Sequence, residues 1–184
     1  MKINSGIFKF KSISSIKSRK LRPTANKIRN AIFDILINRY NFSNWTKNTH
    51  LLDAFSGTGI ISFESFSRDV KKATIIEKDI IIFNNLKKNI NDLNLIKKVN
   101  LINLDFFKVP LIKNEYSLVY LDPPYSSDYT NLAIKKILDE KALKKNAIVI
   151  SETSKHYIYN KDLNKYITLS KKYGKTAITF FKFY

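Results

Sequence analysis

The sequence predicts an α/β fold on a mostly parallel sheet, and three observations carry that expectation. From His50 onward, short apolar runs alternate with stretches whose apolar residues keep helical spacing, the pattern of strand–helix–strand units. The run Leu118-Val119-Tyr120-Leu121 is apolar throughout, as a central strand covered on both faces must be, and two prolines close it. Gly57-Thr58-Gly59 follows the first apolar run directly, where a strand hands over to a helix.

Each element follows from its own residues. Residues 2–22 alternate weakly (Ile3, Ile7, Phe8, Phe10, Ile13, Ile16) among Ser and Lys, which fits one or two short strands or an arm. Pro23-Thr24 opens a helix with Thr24 as N-cap; Ile28, Ile32, Ile35 and Leu36 share a face, with Lys27 and Arg29 off it. Residues 40–48 read as a polar linker with Trp45 tucked against the core. Strands are expected at 51–55, 73–77, 99–104, 116–121 and 147–150, with helices from Gly59 through Arg68, after the N-cap Asp79, and over 129–143. In the second helix Phe83, Leu86, Ile90 and Leu93 form the apolar face. An antiparallel pair at 166–169 and 176–183, turned near Gly174, ends the chain. The expected organisation is a basic N-terminal extension over 1–45, not independent, followed by an α/β domain over 46–184.

Composition narrows the partners. A chain of 184 residues buries roughly 70% of its unfolded surface and needs no metal or disulfide staple. The absence of cysteine excludes disulfides and thiolate metal sites, and His50 and His156 sit in no ligand-like cluster, so no metal is expected. No run approaches about 18 apolar residues and no secretory leader is visible, which leads us to expect a soluble, cytoplasmic monomer without membrane contact. The net charge of +18 implies attraction to a polyanion. Half of it lies at the front: residues 1–40 hold ten Lys/Arg and one acid (net +9), the other 144 hold 23 and 14 (also +9). Lys17, Lys20, Arg22 and Arg29, with Thr24 beside them, are the candidate nucleic-acid contacts.

The chemistry concentrates at strand ends. Asp53-Ala54-Phe55-Ser56-Gly57-Thr58-Gly59 lets the backbone approach a ligand closely, although Ser62 occupies the third position of a full dinucleotide fingerprint. Glu77 ends the second strand 20 residues after Gly57, where an acid accepts hydrogen bonds from ribose hydroxyls. Nicotinamide dinucleotides and S-adenosylmethionine both carry that ribose. Asp105 ends the third strand and either reaches an adenine amino group or caps a turn; Lys78 and Phe106 adjoin these acids. Asp122-Pro123-Pro124-Tyr125 discriminates further. An exocyclic amine on a base is a poor nucleophile because its lone pair is delocalised into the ring. Two acceptors on its N–H bonds, the Asp122 carboxylate and the Pro123 carbonyl, favour a pyramidal nitrogen, and Tyr125 stacks on an extruded base. If the first and fourth strands are neighbours, the glycine loop and this loop face one crevice.

Taken together, Leu21-Arg22-Pro23-Thr24 with Arg29 and Phe33, Leu52 through Gly59, Ile76-Glu77-Lys78-Asp79, Asn103-Leu104-Asp105, Asp122-Pro123-Pro124-Tyr125 and Tyr173-Gly174 resemble the class I S-adenosylmethionine-dependent methyltransferases. Within that superfamily the sequence is similar to the bacterial guanine-N2 methyltransferases of 16S ribosomal RNA, nearly end to end. The resemblance implies a Rossmann-like, seven-stranded sheet with the last strand antiparallel. It also implies methyl transfer to guanine N2 at nucleotide 966 of 16S rRNA, either naked or in an assembling small subunit. It places cofactor methionine at Asp53 to Gly59, ribose at Glu77, adenine near Asp105, and the target base between Asp122 and Tyr125. The same loop also suits adenine in DNA or a protein glutamine, and a nucleic-acid-binding protein without catalysis is the further alternative. The arm departs from the family at Lys9-Phe10-Lys11 and Ile16-Lys17-Ser18-Arg19-Lys20, where glycine is expected more often.

Overall fold

The computed structural model describes residues 1–16, 26–124 and 128–184. Among the described residues four α-helices, α1 (Asn26–Tyr40), α2 (Ile60–Ser67), α3 (Ile80–Asp92) and α4 (Tyr129–Asp139), accompany seven strands. These are β1 (His50–Asp53), β2 (Lys72–Ile76), β3 (Val99–Ile102), β4 (Tyr116–Leu121), β5 (Leu143–Ser154), β6 (Ile167–Tyr173) and β7 (Thr176–Lys182). They form one sheet in the order β3-β2-β1-β4-β5-β7-β6. Only β7 runs against its neighbours, pairing antiparallel with β5 and with β6. The expected α/β class, the parallel sheet and the reversed last strand are all present, and among the described residues no helix is long and apolar enough to cross a membrane.

The chain divides into two compact units, Met1–Phe106 and Phe107–Tyr184. In the first, β2 lies parallel between β1 and β3, with Ala73 beside Leu51, and Ala73, Ile75 and Ile76 of β2 are buried, as are Leu51 and Leu52 of β1. Asp79 caps α3 as its sequence implies, accepting the N–H groups of Ile81 at 2.9 Å and Ile82 at 3.3 Å. The buried face of α3 is Ile82, Leu86, Asn89 and Ile90, so it turns slightly from the expected face and leaves Phe83 half-exposed. The polar Asn89 is retained there because its side chain bonds Ser14: its Nδ2 donates to the Ser14 carbonyl at 2.9 Å, and its Oδ1 accepts the Ser14 N–H at 3.0 Å.

Arg29 corrects the sequence reading. It is 1% exposed, buried with Ile28, Ile32, Phe33 and Leu36 on the inner face of α1, and is no phosphate contact. Its Nη2 donates to the Lys2 carbonyl at 2.9 Å and to Asn4 Oδ1 and Asn26 Oδ1 at 2.7 Å. Its Nε lies 3.1 Å from Glu64 Oε1 on α2, an ion pair with both side chains out of water. Glu64 also accepts the Asn4 N–H at 2.7 Å and pairs with Arg68, whose guanidinium covers the Phe33 ring at 4.1 Å. Burial pushes the Arg29 guanidinium below its ordinary pKa, while Glu64 opposes that shift. Helical periodicity misses this residue because a buried cation is legible only with its partner, 35 residues away.

In the second unit β4 is buried over Leu118–Leu121 in parallel register with β5 (Leu121↔Ser151), while β5 pairs with β7. Strand β5 runs over twelve residues, beyond both ends of the apolar run that predicts it: β7 pairs with it as far as Ser154, and Leu143 pairs with Tyr116 of β4 ahead of a register shift.

Candidate active site

The glycine turn is built around a buried acid. Asp53 is the last residue of β1 and 1% exposed; its Oδ2 accepts the Ser62 hydroxyl at 2.6 Å. Its Oδ1 is buried with no hydrogen-bond partner among the described residues. Burial, with a smaller repulsion from Glu77, pushes its pKa up to about 7, against the lowering effect of the Ser62 hydrogen bond. Ser62 thus has a role that the dinucleotide fingerprint could not show: where a glycine is expected, its hydroxyl anchors the strand-end carboxylate.

Glu77 reaches back across the same turn. Its Oε2 accepts the Gly57 N–H at 3.0 Å and its Oε1 the Asp79 N–H at 2.8 Å. Burial raises its pKa, and backbone hydrogen bonds from Asp79, Gly57 and Lys78 partly offset the shift. Ser56 bonds the Ile76 carbonyl through both its N–H and its hydroxyl at 3.1 Å, so the turn is fixed to the end of β2. Gly57 and Gly59 have φ of +51° and +72°. The left-handed φ of Gly59 favours glycine where α2 starts, and a Cβ there would lie 2.4 Å from Leu86 Cδ2, which would have to shift.

The remaining candidates of the first unit gather at the same strand ends. The Phe55 and Phe106 rings are 5.2 Å apart, with Phe106 buried and Phe55 half-buried. Lys78 Nζ lies 3.9 Å from Asp105 Oδ2, an exposed pair. Asn103 braces the corner, donating from Nδ2 to the Glu77 carbonyl at 2.8 Å and the Lys78 carbonyl at 3.2 Å. Thr58 stands half-buried between the two glycines.

In the second unit, β4 delivers Asp122 to a half-buried position just past its last residue, followed by buried Pro123 and exposed Pro124. Tyr125 lies outside the described residues, as do Lys17, Lys20, Arg22 and Thr24. The start of α4 is secured by residues the sequence did not single out. Asp128, at the N-cap of α4, accepts the Tyr157 hydroxyl and Asn131 Nδ2 on Oδ1, both at 2.8 Å. The Tyr157 hydroxyl in turn accepts the Asn131 N–H at 3.0 Å. Burial, then the hydrogen bond to Asp128, pushes the Tyr157 hydroxyl above its ordinary pKa, so it remains a donor at neutral pH. One strand in, the Tyr120 hydroxyl donates to buried Glu152 of β5 at 2.8 Å. Aromatic hydroxyls 32 and 29 residues from their carboxylates leave no local signature. Among the described residues no group of three or more possible metal ligands is present.

The family model described as Conserved hypothetical protein 95 matches residues 1–182. Ribosomal RNA small subunit methyltransferase D of Haemophilus influenzae is 31% identical over 159 residues, covering 84% of this chain and 79% of its own length. The protein of that name from Buchnera aphidicola subsp. Acyrthosiphon pisum is 33% identical over 155 residues, covering 83% and 78%. A solved methylase structure from Haemophilus influenzae superposes with TM-score 0.81 at 24% identity, over 98% of this chain and 97% of that one. An RNA methyltransferase from Salinibacter ruber, solved with S-adenosyl-L-homocysteine, superposes with TM-score 0.65 at 17% identity, over 88% and 93%; both likenesses establish the fold. The chain belongs to the Conserved hypothetical protein 95 family, and proteins named ribosomal RNA small subunit methyltransferase D are among its relatives.

Proposed function

We propose that the protein transfers a methyl group from S-adenosylmethionine to the exocyclic N2 amine of a guanine in 16S ribosomal RNA, at nucleotide 966. The observation that carries the reading is a buried strand ending in Asp122-Pro123-Pro124 within a chain that also holds an acid-anchored glycine turn. Relatives named for methylation of small-subunit ribosomal RNA, and the net charge of +18, support an RNA substrate. The choice of nucleotide rests on the sequence resemblance.

The first unit fits the cofactor. The Asp53 Oδ1 atom, buried and lacking a donor, suits the ammonium of a methionine moiety. Glu77 takes backbone donors from Gly57, Asp79 and Lys78, and a carboxylate has about four acceptor directions, so about one remains for a ribose hydroxyl. Phe55 and Phe106 offer an aromatic edge, with the adenine amine assigned to Asp105. The cofactor supplies an electrophilic methyl on a sulfonium; its S–C bond breaks as the N–C bond forms.

Asp122 and the Pro123 carbonyl orient the amine, and Tyr125 stacks on the base. The displaced proton passes to Asp122 or to water. The Asp122→Ala variant is expected to bind S-adenosylmethionine with unchanged affinity while methylation falls by orders of magnitude. Titration calorimetry and transfer of radiolabelled methyl measure the two, and an active variant sinks the assignment. Nuclease digestion of rRNA from a deletion strain should lack one N2-methylguanosine. A missing N6-methyladenine in DNA or methylglutamine in protein would reassign the substrate, and failure to bind the cofactor would leave a binding protein without catalysis.

A further inference from the structure

The first sixteen residues are a folded element on the first unit. The Met1 ammonium donates to the Ile13 carbonyl at 2.8 Å, the Ile3 N–H to Lys11 at 3.1 Å and the Phe10 N–H to Ile3 at 2.9 Å, so the chain doubles back. Ile3 and Ile13 are buried beneath it. The turn is fixed to the end of α2: the Ile7 N–H donates to the Ser67 carbonyl at 2.8 Å and the Phe8 N–H to Ser67 Oγ at 2.9 Å. At Gly6 a Cβ would lie 1.7 Å from the Ser67 carbonyl oxygen, which brings the two backbones into direct contact.

What this fixed turn presents is unusual for an exposed loop. Phe10 is 70% exposed and has φ of +69°, a left-handed conformation that disfavours a bulky side chain and suits glycine. The fold gains little burial from this ring, yet the chain holds it at the surface in a strained backbone. Lysines flank it: Lys9 Nζ is 4.9 Å from the Phe10 ring centroid, and Lys11 Nζ is 5.2 Å from the Phe8 ring centroid. Aromatic and cationic side chains thus alternate over Phe8-Lys9-Phe10-Lys11, the composition of surfaces that stack bases and neutralise the phosphates between them. A protein partner would favour a continuous apolar patch with few lysines.

We propose that the arm tip is a binding site for an unpaired nucleotide of the RNA: Phe10 stacks on its base, and Lys9 and Lys11 hold the adjacent phosphates. This rests on the RNA substrate proposed for the protein and adds an RNA contact distinct from the residues of the strand ends. The base displaces the Lys9 ammonium from the ring, and the ammonium then takes a phosphate. A duplex offers phosphates but no free base face, so only single-stranded RNA engages the ring.

The test uses the full chain with a short fluorescent single-stranded RNA and with the same RNA annealed to its complement, read by anisotropy. Phe10→Gly should weaken single-strand binding roughly tenfold, leave duplex binding unchanged and retain S-adenosylmethionine affinity. Because glycine relieves the positive φ, this variant should melt at the wild-type temperature or above. Phe10→Trp should keep the affinity, and Lys9→Gln with Lys11→Gln should reduce the salt dependence for both RNAs. Unchanged single-strand affinity in Phe10→Gly, or an equal loss on the duplex, overturns the proposal. Failure is separable from that of the functional reading: a Phe10→Gly enzyme that methylates rRNA with wild-type KM refutes only the arm site. A wild-type protein that methylates no RNA refutes the reading beneath it.

Discussion

Asp53 shows what a buried acid costs in stability. Its carboxyl pKa stands at about 7 in the folded chain against an ordinary 3.8, so the folded state keeps a proton that the unfolded state has lost. Stability from this group is therefore fully present below the ordinary value and drains away as pH rises to about 7. Asp53→Asn has nothing to titrate. Relative to that variant, wild-type protein should lose about 2–3 kcal/mol between about pH 5 and about pH 8, measured by urea unfolding. Parallel pH profiles would contradict the shift. The variant should also bind S-adenosylmethionine weakly at every pH, since an amide cannot compensate an ammonium. Glycine at position 59 answers a different demand: its φ of +72° strains any side chain, and a Cβ would push against Leu86 and Phe63.

At the scale of elements, two polar clusters do what helix propensity alone does not. Glu64 on α2 joins Arg29 of α1, Arg68 and the arm through Asn4. Glu64→Gln removes one charge from a buried set and leaves Arg29 uncompensated, which should cost about 3–5 kcal/mol. A drop in melting temperature of several degrees, with earlier proteolysis of residues 1–16, is the expected signature; wild-type stability would show the pair to be dispensable. The start of α4 is capped from outside, by Tyr157 accepting the Asn131 N–H while its hydroxyl holds Asp128. Tyr157→Phe keeps the ring contact with Tyr159 and removes both hydrogen bonds, for a loss of about 1–2 kcal/mol. Hydrogen exchange should rise in the first turn of α4 and not in β5; a uniform change would argue against a local cap.

Over the whole molecule the +18 charge would steer the approach of the proposed RNA substrate. Lys17, Lys20 and Arg22 remain proposed phosphate contacts, whereas Arg29 is withdrawn by its burial. Neutralising Lys17 and Lys20 together should lower the slope of log affinity against log salt by about 1.4 for a single strand, at roughly 0.7 per phosphate contact. An unchanged slope would remove both from the interface. The described arm, residues 1–16, is fastened to α2 and α3, so Lys2, Lys9 and Lys11 stand on a fixed element.

Strand positions, the glycine turn, the Asp79 cap and the motif after β4 were legible because each is a local pattern. Periodicity reports burial, glycine reports backbone angle, and proline reports the end of a ladder. The family followed from those motifs. Long-range pairings were not legible: Arg29 with Glu64, Asp128 with Tyr157, and Tyr120 with Glu152. Each joins residues at least 29 positions apart, with no period to announce the partner. By itself the sequence determined the fold class, the strand-end acids and the chemistry they suit. Only the tertiary structure decided which charges face water and which are spent inside, because burial of a charge is settled by the partner that compensates it.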